Sequence, residues 1–156
     1  MFNTSNSSKS LFRLVAPVAV LFLASANLYA QQPMSISLTG ASEVPPVTTS
    51  ATATGQITIM PDHTVSGSIK TSGVVATMAH IHEAAAGKNG PPIITLTKTA
   101  DGFAVPAGAK LTDAQYASYM AGNLYVNVHS AQHPNGEIRT QLPHPETAKT
   151  PKRPAS

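Results

Sequence analysis

The chain has 156 residues, no cysteine and a formal charge of +3. That length suggests one domain, and the missing thiols exclude disulfide staples, thiolate catalysis and cysteine metal ligands. The positive charge belongs to the ends: within residues 31–142 five basic residues face six acidic ones, and with no basic patch or interleaved aromatics nucleic-acid binding is not expected.

Lys9 and Arg13 precede an apolar run of eleven residues, Leu14 to Ala24, and small residues then lead to Asn27-Leu28-Tyr29-Ala30. This is the pattern of a secretory signal peptide, residues 1–30, with cleavage expected after Ala30 or, as the alternative, Ala26. The run is shorter than the roughly 20 apolar residues a bilayer span needs. The mature protein is therefore expected in the periplasm or secreted, without membrane contact after cleavage. At the other end, residues 143–156 combine Pro143, Pro145, Pro151 and Pro154 with Lys149, Lys152 and Arg153. Such a segment cannot bury a core and reads as a disordered tail.

The stretch between, residues 31–142, is rich in Thr, Val, Ile, Ala and Gly, with turn signals roughly every ten residues, which favours an all-β sandwich or barrel. Ser35 to Thr39 alternates polar and apolar as a half-buried strand does. Gln56 to Met60 alternates again, Pro61-Asp62-His63-Thr64 reads as a turn, and Val65 to Ile69 returns as the hairpin partner. This places Ile57, Ile59, Val65 and Ile69 on one face. Val74 to His82 and Ile93 to Thr97 read as strands separated by the loop Gly87 to Pro92, and Asp101 to Lys110 reads as loop.

One short helix is expected over 113–121. Thr112 and Gln115 fit a capping box, Leu111 and Tyr116 the flanking hydrophobic staple, and Gly122 the C-terminal cap. Asn123 to His129 and Glu137 to Leu142 are the closing strands, with Ile138, Thr140 and Leu142 on one face and Glu137 and Arg139 on the other. The expected fold class is an antiparallel, Greek-key-like β-sandwich with one short helix.

Three ordered motifs resemble those of the CHRD (chordin) domain family. Leu38-Thr39-Gly40-Ala41-Ser42-Glu43-Val44-Pro45-Pro46 is similar to its opening L-x-G-x-x-E-V-P-P. Ala79-His80-Ile81-His82, then Ala84-Ala85 and Asn89-Gly90-Pro91, resembles its central motif. Gly122 to His129 and His133 to Arg139 resemble its closing G-x-x-Y-V-N-V-H and P-x-G-E-I-R. The likeness covers about residues 36–142, with Glu83 where the family commonly has glycine. The resemblance implies an exported sandwich domain, and implies location and fold more than any activity.

His80-Ile81-His82 is the sharpest chemical signal. Residues i and i+2 of a strand point to one face, so both imidazoles face the same way and Ile81 faces the core. Asn127 and His129 share a face of the following strand. Were the two strands to meet, His80, His82 and His129 would form a three-imidazole metal site, with His133 in the next loop and Met78 on the same face as secondary candidates. Imidazole suits copper and zinc, so copper is the expected ion and zinc the alternative. A strand-borne His-x-His pair is also similar to the copper pair of copper–zinc superoxide dismutase, a likeness of site and not of sequence, which makes a dismutase-like copper oxidoreductase a further alternative.

Other readings stand beside this one. The histidines could instead bond backbone carbonyls beneath a loop, in a structural or protein-interaction module. His63 and His144 are expected in solvent, and Met78 reads as a core residue before a ligand. Glu137 and Arg139 could orient an imidazole or form a structural pair or loop anchor. Ser130 follows His129 directly and so points to the other face, which leaves no readable nucleophile.

Overall fold

A computed structural model describes Met1 and residues 33–145; the expected signal peptide and all but the first three residues of the expected tail lie outside the described residues. Nine strands run in the order β1 (Met34–Thr39), β2 (Thr52–Ile59), β3 (Val65–Ser72), β4 (Ala76–Glu83), β5 (Pro92–Thr95), β6 (Thr97–Lys98), β7 (Gly102–Ala104), β8 (Leu124–Ser130) and β9 (Ile138–Gln141). One helix, α1 (Asp113–Met120), precedes β8. Every strand pairing is antiparallel, and the fold is all-β.

The strands form one sheet in the order β5-β4-β8-β9-β1-β2-β3-β7-β6. Its two outermost strands, β5 and β6, are consecutive in the chain and separated only by Leu96. One extended segment therefore supplies both outermost strands and links the two ends of the sheet, which folds over as a sandwich. The Leu96 N–H donates to the Ala79 carbonyl at 2.9 Å, while its side chain enters the core.

The β2–β3 hairpin forms in the expected register, with Ile59 opposite Val65 and Gly55 opposite Ile69. Ile57, Ile59, Val65 and Ile69 are all buried. The Thr112 hydroxyl accepts the Gln115 N–H at 3.2 Å and the Gln115 side chain accepts the Thr112 N–H at 2.9 Å, so both arms of the capping box are present. Gly122 follows the helix at φ +76°, the left-handed conformation such a cap uses.

Three local differences from the sequence reading have physical causes. Gly102–Ala104, expected as loop, is a strand because it pairs with the edge of β3. His63 is half-buried and stacks on Tyr116, ring centroids 4.2 Å apart, and His144 is half-buried against Gly122. Met78 is 48% exposed and not in the core.

Candidate metal centre

The site lies on the outer face of β4, β8 and β9. Ala79 and Ile81 of β4 and Leu124, Val126 and Val128 of β8 face the core, so His80, His82, Tyr125, Asn127 and His129 are turned to the other side. The register sets Met78 opposite His129, His80 opposite Asn127 and His82 opposite Tyr125. A β-bulge at Thr77 re-phases β4: Ala76 opposes Ser130 while Met78 opposes His129. The bulge lets Ala76 and Ala79 both turn inward, while Met78 stays on the outer face with His80. Bulges of this kind re-aim side chains beside functional sites. The Thr77 hydroxyl holds the bulge by donating to the His129 carbonyl at 3.1 Å.

Alternation alone would leave the outer residues of β8 in solvent. Instead all seven residues of that strand are buried, because two loops fold over it. Residues 84–91 cover Tyr125, and residues 131–137 cover Asn127 and His129. Each loop brings one carbonyl to one histidine. His82 Nδ1 lies 2.9 Å from the Gly90 carbonyl, and His129 Nδ1 lies 2.9 Å from the Pro134 carbonyl. A carbonyl can only accept, so both nitrogens carry the hydrogen and both Nε2 atoms keep a bare lone pair. This is the arrangement in which ligating histidines are usually held. The orienting groups are main-chain carbonyls, not the Glu137 carboxylate.

The rings converge. His80 Nδ1 is 3.0 Å from His129 Nε2, and one ligand nitrogen from each of His80, His82 and His129 lies within 4.8 Å of the others. Two nitrogens sharing an ion at about 2.0–2.1 Å stand roughly 3–4 Å apart, so sub-ångström to ångström movements suffice to close the set. Since His129 Nε2 is bare, the short contact places a hydrogen on His80 Nδ1. Joint ligation through that nitrogen requires the His80 proton to shift to Nε2, with no change of net charge. His80 is half-exposed while His82 and His129 are each 7% exposed, so the site opens to solvent past His80.

Electrostatics favour neutral rings. Burial lowers the pKa of all three from 6.5. Neighbouring His129 and His82 lower His80 further, while the carbonyl bonds from Gly90 and Pro134 partly offset the fall for the other two. Neutral imidazole is the form a metal requires.

Around this centre, His82 stacks on Tyr125 with centroids 4.7 Å apart and planes 8° from parallel. The Arg139 guanidinium lies 3.4 Å from the centre of the same Tyr125 ring. Arg139 is 2% exposed and donates to the Asn89 side chain at 3.1 Å and the Lys88 carbonyl at 2.8 Å. It is the anchor of the loop that supplies Gly90, and among the described residues it makes no ion pair. Glu137 instead accepts from the Thr49 hydroxyl at 2.7 Å.

His133 and Met78 stand outside the converging group. The His133 main chain closes the turn over the site, its carbonyl accepting from Ser130 and Gly136, and the residue lines a cleft of about 250 Å³ with Glu43 and Pro45. Met78 sits opposite His129 in register but projects toward solvent. Sequence reasoning raised loop carbonyls as partners of the histidines without saying which, and missed the Tyr125–Arg139 support. The signal was present in the loop motifs Asn89-Gly90-Pro91 and Pro134-Asn135-Gly136, each a few residues after a ligand histidine.

The family model described as the CHRD domain matches residues 34–142, well over half the chain, and the protein belongs to that family. No curated protein and no solved structure gives a significant match.

Proposed function

We propose that this is an exported metal-binding domain that holds one copper ion through His80, His82 and His129, without catalysing a reaction. The observation that carries the reading is the preset tautomers within a converging group of three histidines: two buried rings spend their Nδ1–H groups on main-chain carbonyls, and the bare His129 Nε2 meets His80. Copper is favoured over zinc because imidazole sites bind Cu(II) more tightly along the divalent series; zinc is the alternative ion. Export rests on the pattern of residues 1–30, which places the domain in the periplasm or outside the cell.

The test is calorimetric titration of the domain with Cu(II) and with Zn(II), repeated on the His80→Ala/His82→Ala double variant. One ion per chain in the wild type and its loss in the variant is the expected result. Undiminished binding in the double variant removes the reading.

A second reading has its own support. The His80–His129 contact is a hydrogen bond in its own right, as in a structural or protein-interaction module whose histidines only fasten loops. It predicts no stoichiometric ion in the same titration.

A further inference from the structure

Asn127 lies between His129 and Tyr125 on β8 and opposite His80 on β4. It is 2% exposed, yet its Oδ1 has no hydrogen-bond partner. His82 Nε2 is the other unpartnered buried acceptor on this face, and it cannot donate, because the His82 hydrogen is engaged at Nδ1 by Gly90. Asn127 is also the diagonal neighbour of His82 across the strand pair, since His82 faces Tyr125 and His80 faces Asn127. Oδ1 and the bare Nε2 are both acceptors and cannot satisfy each other. Two buried, unpartnered lone pairs on one face are costly unless a cation or donor meets them.

At Gly136, φ +129°, the place a Cβ would occupy is 2.5 Å from Glu43 Oε1 and 2.8 Å from Asn127 Nδ2, so only glycine leaves room beside these two side chains.

We infer that Asn127 Oδ1 is a fourth ligand of the three-imidazole site, so that the site presents three nitrogens and one oxygen. This rests on the metal-binding reading above and narrows it. A neutral oxygen in place of a thioether favours Cu(II) or Zn(II) and disfavours Cu(I), which prefers soft sulfur ligands.

The experiment uses Cu(II) alone, with calorimetry and electron paramagnetic resonance on the wild type, Asn127→Leu and Asn127→Asp. Asn127→Leu is expected to bind at least about tenfold more weakly, the scale on which even supporting groups of metal sites act, with an altered copper spectrum. Asn127→Asp, which keeps an oxygen at the position, is expected to retain binding with a spectrum shifted by the added negative charge. Wild-type affinity and spectrum in both variants overturns the inference while leaving the three-imidazole site intact. Should Asn127→Leu fail to fold, an Asn127→Asp spectrum identical to the wild type overturns it by itself. A wild type that takes up no Cu(II) defeats the parent reading and this one together.

Discussion

Gly90 has no side chain because the Glu83 carbonyl oxygen stands 1.9 Å from where its Cβ would be. That close approach delivers the Gly90 carbonyl to His82 Nδ1 and so decides which nitrogen of His82 is free. Gly90→Ala must push the loop away from β4. The expected result is a folded protein with roughly 10–100-fold weaker metal binding, the usual effect of losing a group that orients a ligand; calorimetry on the variant checks it, and unchanged affinity would show that the carbonyl does not matter. Protons act on the same residues. The folded-state pKa values of His80, His82 and His129 lie below 6.5, so between those values and 6.5 the unfolded chain binds more protons than the folded one. The stability these rings allow is complete above about pH 6.5 and is lost as pH falls through that window. Glu43, whose pKa burial raises above 4.5 against the pull of Arg139, contributes a slope of the opposite sign above that value. Urea midpoints of chelator-treated protein at pH 7.5 and 5.5 should therefore show the lower stability at 5.5, and a midpoint that rises on acidification would contradict the tautomer assignment. At this scale the candidate cluster was legible, since His80 and His82 had to share a face. Their orienting carbonyls were not, because any residue type supplies a carbonyl and only loop placement selects one.

Among the elements, strands with strict alternation and the capped helix were legible, since each carries its own periodic or capping signal. What escaped was set by pairing between distant segments. The bulge at Thr77 leaves no mark in Ala76-Thr77-Met78-Ala79, yet it turns Ala76 inward where alternation from Ala79 would have turned it out. The short strand at Gly102–Ala104 exists only because β3 offers it an edge. His63 escapes solvent because α1 brings Tyr116 beneath it. The helix also provides a control for the site. Thr112→Ala removes one arm of the capping box and should cost about 1 kcal/mol, read as a lower urea midpoint with an unchanged slope. Metal affinity should not move, because the cap touches no ligand; a coupled loss of binding would mean that α1 helps to position the centre.

For the whole molecule, residues 92–98 link the two ends of a sheet that folds over its core with β4 and β8 side by side, and two loops then roof the outer face of that pair. The all-β class and the family likeness were readable from composition and from three ordered motifs. The strand order was not, because one extended segment supplying both outermost strands is a property of the folded chain and not of any local pattern. The central claim is that His80, His82 and His129 jointly hold an ion on that roofed face. The most direct measurement is anomalous diffraction at the copper absorption edge from crystals grown with equimolar Cu(II). The account predicts a single strong peak about 2.0–2.1 Å from one nitrogen of each ring, the distance usual for imidazole ligands. A peak at His63 or His144 with none among these three rings, or no peak at all, would contradict it.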